Sequence, residues 1–325
     1  MKILITGGAG YVGSKLVPKL LDLGHSLTVL DLMIYGEEVL ENHKNLKKIK
    51  GDIRNQDLLK KIIPGHEVII HLACISNDPS FELNPSLGKS INFDAFEPLV
   101  KISKENNVNK FIYASSSSVY GIKKEKNVTE DMSLEPLTDY SKFKGECEKI
   151  LNGYKSDNFI TTTIRPSTVC GYAKRQRLDL VVNILTNHAY HNREIKVFGG
   201  NQLRPNVHID DMVNSYISVL SAPTSKINGE IFNVGYKNQT VNELAEDVKD
   251  IIGNDVKIIK TESDDNRSYH VSCEKIKSVL EFIPQFTVRD AVSDLKSSFE
   301  NGLLPNSMKD KKYFNIKTMN FLNIV

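Results

Sequence analysis

Short, nearly unbroken apolar runs alternate along the first half of this chain with longer stretches of helical periodicity. The runs fall at residues 3–5, 26–30, 46–50, 68–72, 110–115 and 159–164. Runs of this length that are apolar on both sides of the pleat read as strands buried on both faces, and their alternation with helices predicts a parallel sheet covered by helices front and back. After Arg165-Pro166 the elements shorten and Lys, Arg and Asn become frequent, which predicts a smaller lobe over one end of the sheet. Residues 229–235 are strand-like again and are expected to return to the main sheet. Residues 241–252 read as an amphipathic helix, with Thr240 as its N-cap and Glu243 as the reciprocal partner. The expected organisation is a first domain over 1–165, a lobe over 166–304, and a peripheral tail over 305–325.

The first apolar run leads into Gly7-Gly8-Ala9-Gly10-Tyr11-Val12-Gly13 and then into a helix start at Ser14. A strand, glycine turn and helix in that order bring backbone N–H groups and a helix N-terminus against a negatively charged group, typically a pyrophosphate. The spacing is G-x-x-G-x-x-G, so the pattern needs support from its surroundings. The second run supplies it by ending in Asp31, eighteen residues after Gly13. An acid there accepts hydrogen bonds from an adenosine ribose and repels a 2′-phosphate, which favours NAD(H) over NADP(H). No Arg or Lys between Asp31 and Glu41 offsets that repulsion. Two further segments follow strands directly: Asp52-Ile53, with Asp52 placed to reach an adenine amino group, and Leu72-Ala73, which lets a cofactor pass closely.

Tyr140 and Lys144 lie four residues apart in a predicted helix and so share one face. A free phenol has a pKa of about 10 and is a poor base at neutral pH. A neighbouring ammonium, together with the positive charge of an oxidised nicotinamide, is expected to lower that value. The phenolate then takes a hydroxyl proton while hydride leaves the same carbon. Ser115 to Ser118, at the end of the preceding strand, offer a hydroxyl to share the substrate's hydrogen bond.

Composition narrows the class without changing it. Lys plus Arg number 42 against 40 Asp plus Glu, so overall charge suggests neither a nucleic acid nor a membrane surface as partner. Cys74, Cys147, Cys170 and Cys273 show neither disulfide nor metal-ligand spacing, and no metal centre is expected. No stretch approaches the roughly 20 apolar residues of a membrane helix. Residues 1–5 run straight into the glycine loop without a signal peptide, so a cytoplasmic location is expected.

Taken in order, Gly7-x-x-Gly10-x-x-Gly13, Asp31, Asp52-Ile53, His71-Leu72-Ala73, Asn92, Ser116 to Gly121, Tyr140-x-x-x-Lys144, Arg165-Pro166 and the segment 204–211 resemble an extended short-chain dehydrogenase/reductase. The likeness is to the NAD-dependent nucleotide-sugar epimerase/dehydratase family, in particular its UDP-glucose 4-epimerase-like members, over about residues 1–300. The resemblance implies an α/β fold, a Rossmann-type doubly wound parallel sheet with a smaller α/β substrate-binding lobe. It implies NAD held by Gly7, Gly10, Tyr11, Val12, Gly13, Asp31, Asp52, Ile53, Leu72, Ala73, Asn92, Tyr140 and Lys144. Ser116 is the implied catalytic hydroxyl, with Ser117 and Ser118 as alternates.

For a nucleotide-diphosphate sugar, the resemblance implies contacts from Arg204 and Arg267, whose forked donors suit phosphate oxygens. Thr168 stands where many 4-epimerases have Asn, and Pro205 stands where the family usually has Asp. Arg175, Arg177 and Asp179 are further substrate candidates. Family members that eliminate water carry an Asp-Glu pair right after the catalytic hydroxyl residue, whereas this chain has Ser117 and Ser118, and a serine hydroxyl does not replace a carboxylate as acid or base.

The implied reaction is therefore epimerisation, at C4 through a transient ketone, in surface polysaccharide or sugar-nucleotide biosynthesis. Two alternatives are a nucleotide-sugar 4-dehydrogenase or reductase and a non-enzymatic NAD-binding sensor or scaffold. The stretch from Arg175 to Leu180 resembles bacterial surface-polysaccharide enzymes that include such oxidases. The resemblance also implies a homodimer through a four-helix interface built from residues 95–106 and 140–151.

Overall fold

The computed structural model of the chain describes residues 1–262 and 268–323. Seven strands form one parallel sheet: β1 (Lys2–Thr6), β2 (Ser26–Asp31), β3 (Leu46–Lys50), β4 (Val68–His71), β5 (Lys110–Ala114), β6 (Ile160–Pro166) and, from much later in the chain, Glu230–Val234. Their spatial order places Glu230–Val234 at one edge beside β6, followed by β5, β4, β1, β2 and β3. Order reverses between β1 and β4, and at such a reversal the loops leaving neighbouring strands part and open a crevice. Glu230–Val234 pairs in parallel with β6, Ile231 lying opposite Thr163.

The two faces of the sheet explain the apolar runs. Ile3, Ile5, Val29, Val68, Ile70 and Ile112 point to one side, against Leu16, Val17 and Leu20 of helix α1 (Gly13–Asp22) and Met212, Tyr216 and Val219 of the helix Ile209–Ser221. Leu4, Leu30, Ile69, Phe111 and Tyr113 point to the other, against Phe96, Leu99 and Val100 of the helix Phe96–Glu105 and Cys147 and Leu151 of the helix Asp139–Tyr154. Successive side chains of a strand alternate between faces, so neither side can be polar when helices cover both. Of the stripe Phe143, Cys147, Ile150 and Leu151, the second and fourth are core, while Phe143 and Ile150 are half-buried.

The smaller lobe holds a three-stranded sheet of β7 (Thr168–Cys170), β9 (Leu203–His208) and Lys237–Thr240, and a parallel pair of β8 (Glu194–Phe198) with Lys257–Thr261. Pro205 lies inside β9 opposite Asn238, so the residue that departs from the family pattern sits in a regular antiparallel pair. The helix Val241–Ile252 begins with the Thr240–Glu243 capping box.

The segment expected to be a peripheral tail is packed. Tyr313 and Leu304 join Leu178, Leu295 and Phe299 in a buried cluster, the Leu178 amide donates to the Tyr313 carbonyl at 2.9 Å, and the helix Asn315–Phe321 returns toward the crevice. Its few apolar residues are too sparse to announce this by periodicity. Among the described residues, no helix is long and apolar enough to cross a membrane.

Candidate active site

A cavity of about 560 Å³ opens at the carboxyl ends of β1, β2, β4, β5 and β6. Its floor is the glycine loop. Gly7 has φ +74°, and a Cβ there would lie 2.5 Å from the Ala73 amide nitrogen, so only glycine lets the loop pass the end of β4. At Gly13 a Cβ would lie 2.3 Å from the Gly8 carbonyl oxygen. Helix α1 starts at Gly13 with no side-chain cap and no acidic residue in its first turn. Such an end leaves amides and a positive dipole to a ligand, which fits a diphosphate.

Asp31, the last residue of β2, accepts from the Ala9 amide at 3.0 Å and the Met33 amide at 2.8 Å. Burial pushes its carboxyl above the usual range, and the two amides and the charge of Arg175 oppose that. The sequence segment after Asp31 carries no cation, but the fold brings Arg175 from the smaller lobe. The amides leave carboxylate lone pairs for ribose hydroxyls, so the geometry fits the adenosine end of NAD. Asp52 lines the cavity too, with both oxygens engaged by the Arg54 guanidinium, the closest contact being 2.6 Å.

Opposite the glycine loop stand Ser116, Tyr140 and Lys144, all in the cavity wall. Ser116 is the N-cap of a short 3-10 turn and accepts from the Ser118 amide at 3.1 Å. Its Oγ lies 2.8 Å from Ser118 Oγ, which in turn accepts from Ser141 Oγ at 2.8 Å. Ser141 Oγ lies 3.1 Å from Thr138 Oγ1, which donates to the carboxylate of Asp78. A row of four hydroxyls thus runs from the cavity wall to a half-buried acid that also lines the cavity.

The expected Lys144–Tyr140 pairing takes a different form. Lys144 is buried, its Nζ donates to the Ala114 carbonyl at 2.6 Å, and it stands 5.9 Å from the Tyr140 ring centre. Burial, reinforced by Cys74 and Asp78, pushes the Tyr140 phenol above its ordinary value, and the charge of Arg177 opposes the rise. The Lys144 bond to the end of β5 is to a neutral carbonyl, so the ammonium keeps its charge 5.9 Å from the ring and makes no hydrogen bond to the phenol.

Behind this wall, Arg165 and Glu148 form a buried ion pair with Nη2–Oε2 at 2.6 Å, and Ser115 donates to the same carboxylate. Glu148 follows Lys144 by one helical turn, so a single helix face supplies Tyr140, Lys144 and the acid that fixes the end of β5.

Gly10, Tyr11, Val12, Ile53, Leu72, Ala73, Thr168, Arg175, Asp179 and Arg204 also line the cavity. Arg204 lies with its guanidinium 5.6 Å from the Tyr269 ring centre. Asn92 does not reach it: the side-chain amide accepts from the Ile75 amide at 2.8 Å and donates to the Ile75 carbonyl at 2.9 Å, holding the loop after β4 from behind. Arg267, with Asp264 and Asp265 beside it, lies outside the described residues. Arg177 donates to Asp179 at 2.9 Å and to Ser76 Oγ at 3.1 Å. Tyr35, Ser76, Asp78, Asn315 and Met319 are cavity residues that sequence reasoning did not single out. They come from loops, from the start of the short helix Asp78–Glu82 and from the C-terminal helix, where no local motif marks them.

Residues 3–235 match the NAD dependent epimerase/dehydratase family. A protein of Bacillus subtilis named an uncharacterized UDP-glucose epimerase, YtcB, is 30% identical over 312 residues, covering 90% of this chain and 96% of that one. A UDP-glucose 4-epimerase of Lactobacillus helveticus is 28% identical, covering 79% of this chain and 83% of that one. Among solved structures, the UDP-glucose 4-epimerase of Thermotoga maritima with UDP-glucose superposes with a TM-score of 0.85 at 25% identity, covering 93% of this chain and all of that one.

Proposed function

The chain belongs to the NAD-dependent epimerase/dehydratase family, and on that premise we propose that it is an epimerase of a nucleotide-diphosphate sugar, acting at C4. The observation that carries the reading is the convergence of Ser116, Tyr140 and Lys144 on the cavity floored by the glycine loop and Asp31, with Ser117 and Ser118 in place of acids. The relatives named for UDP-glucose epimerisation support a sugar nucleotide as substrate.

NAD, when bound, supplies the hydride acceptor and, oxidised, a positive charge. The uncapped start of α1 holds its diphosphate and Asp31 its adenosine ribose. Ser116 and Tyr140 share the sugar hydroxyl, and Tyr140 takes that proton as the carbon gives up hydride. With the bound cofactor as hydride donor to the ketone's other face, Tyr140 would return the proton to the oxygen and the centre would be inverted. Lys144, on leaving the Ala114 carbonyl, would hold the nicotinamide ribose and share the phenolate's charge. Arg204, and Arg267 in the residues not described, serve the sugar nucleotide's diphosphate. A homodimer through the helices Phe96–Glu105 and Asp139–Tyr154, working in the cytoplasm, completes the reading.

The row of hydroxyls ending at Asp78 favours a second reading. Epimerisation returns its proton to the sugar, whereas an oxidation that stops at the ketone must discharge one, and a hydroxyl row leading to a carboxylate suits that. Incubating the protein with UDP-, GDP-, CDP- and dTDP-sugars and following products by NMR separates the two. Inversion without added cofactor supports epimerisation; accumulation of NADH and a ketone supports the dehydrogenase.

A further inference from the structure

Arg175 is a buried cation in the cavity wall with no carboxylate bonded to it. It is 4% exposed. Its Nη2 donates to Asn315 Oδ1 at 2.5 Å, its Nη1 donates to the Gln176 carbonyl at 3.4 Å, and its guanidinium lies 3.6 Å from the Tyr35 ring centre. Its Nε has no acceptor among the described residues. The carboxylates whose charges it feels, Asp31 and Asp179, make their hydrogen bonds elsewhere. Arg177, two residues on, is bonded to Asp179. A buried charge held only by neutral groups is costly, and an orphaned donor adds to that cost. An anionic ligand in the cavity removes both penalties.

The backbone indicates which anion. The Arg175 amide donates to Ser14 Oγ at 3.3 Å, in the first turn of α1. The residue is therefore tied to the helix whose uncapped amides suit a diphosphate. Asn315 covers this arrangement from the C-terminal helix. Its Oδ1 also accepts from the Tyr35 hydroxyl at 3.0 Å, its Nδ2 donates to Ser76 Oγ at 3.1 Å, and its amide donates to Asp179 Oδ2 at 3.0 Å. One side chain thus joins the loops after β2 and β4 to the segment that carries Arg175.

We propose that Arg175, covered by Asn315, is the side-chain half of a diphosphate site whose backbone half is the glycine loop, and that its ligand is the diphosphate of the bound dinucleotide. This rests on the NAD reading and goes beyond it, because sequence reasoning gave Arg175 to the sugar nucleotide. The C-terminal helix then acts as a cover that retains the cofactor.

The test uses full-length protein stripped of nucleotide and titrated calorimetrically with NAD and with adenosine, and then, once saturated with NAD, with UDP. Arg175→Met should weaken NAD by about 10- to 100-fold, the range of a lost charge-assisted hydrogen bond, and leave adenosine and UDP unchanged. Asn315→Asp sets a carboxylate on the guanidinium in competition with the diphosphate. It should weaken NAD while leaving the melting temperature of the stripped protein equal or higher, a pairing that a purely structural role for Asn315 does not produce. If Arg175→Met does not fold, Asn315→Asp decides alone. Loss of UDP binding with NAD binding intact would overturn the cofactor assignment and give the site to the sugar nucleotide's diphosphate. Wild-type protein that binds NAD as well as both variants do overturns the clamp alone, whereas wild-type protein that does not bind NAD overturns the cofactor reading beneath it.

Discussion

Lys144 donates its Nζ hydrogen bond to the Ala114 carbonyl at 2.6 Å, so the ammonium nearest the candidate base is committed to the end of β5. Burial and the neighbouring Cys74 and Asp78 hold the Tyr140 phenol above its ordinary value, and the charge of Arg177 and the Asn77 backbone oppose them. Because the charged form is the disfavoured one, the phenolate should form at higher pH than in free tyrosine, above about 10, while nucleotide is absent. Added NAD⁺ should move the transition downward. A near-ultraviolet difference titration of wild type against Tyr140→Phe reads both. Tyr140→Phe should also cut turnover by roughly 100- to 10,000-fold while keeping NAD binding. A phenol that titrates normally without NAD would mean that Lys144 acts on it directly.

If Asp31 holds the adenosine ribose as proposed, its charge should set the nucleotide preference. Asp31→Asn keeps an acceptor for one of the Ala9 and Met33 amides, which bond to different oxygens of Asp31, and removes the charge that repels a 2′-phosphate, leaving the nearby guanidinium unopposed. The ratio of NAD to NADP affinity should fall by about tenfold or more, the scale of one relieved like-charge contact. Parallel titrations with the two nucleotides check it, and an unchanged ratio would remove Asp31 from the ribose site.

The elements fixed by local periodicity were legible in advance. Runs such as 3–5 and 68–72 are apolar on both faces because helices cover both, and the glycine loop announces itself because Gly7 and Gly13 have no room for a Cβ. Tyr140 and Lys144 were legible through their spacing along one helix, and the Ser115 to Ser118 cluster through its place at a strand end, while the choice of Ser116 came from the family resemblance. What was not legible depends on contacts between distant segments. Arg175 meets Asn315 across 140 residues, and Arg177 meets Ser76 across 101. Asn92 carries the same residue type whether it touches a ligand or props a loop, and only the paired bonds to Ile75 distinguish the two.

Breaking the Glu148–Arg165 pair from either side should be strongly destabilising. Both side chains are almost wholly buried, at 4% and 3% exposure. Glu148→Gln or Arg165→Met leaves the partner charge buried without its counterion, at a cost of about 3–5 kcal/mol. The double variant Glu148→Gln/Arg165→Met should cost clearly less than the sum, since it removes both charges. Urea unfolding of the four proteins gives the cycle. Glu148→Gln should also loosen Ser115, and through it the adjoining Ala114 carbonyl that anchors Lys144. Additive losses would mean that each residue is held by other groups.

His71 links acidity to folding. It closes β4 at 2% exposure, its Nδ1 lies 2.6 Å from Thr6 Oγ1, and its ring stacks on Tyr113 with centroids 5.8 Å apart. Burial, helped by the charge of Lys144, pulls its pKa from 6.5 to about 3. The neutral ring is thus favoured by the fold, and between these two values the unfolded chain binds the extra proton. The contribution is complete above pH 6.5 and is lost as pH falls toward 3, at about 1.4 kcal/mol per unit for this one group. His71→Gln keeps a partner for Thr6 and cannot titrate. It should be less stable near neutrality, through lost ring packing, yet lose stability more slowly across that window. Urea midpoints for both proteins through the window measure the difference. Parallel slopes would mean that the folded protein already admits a proton at His71.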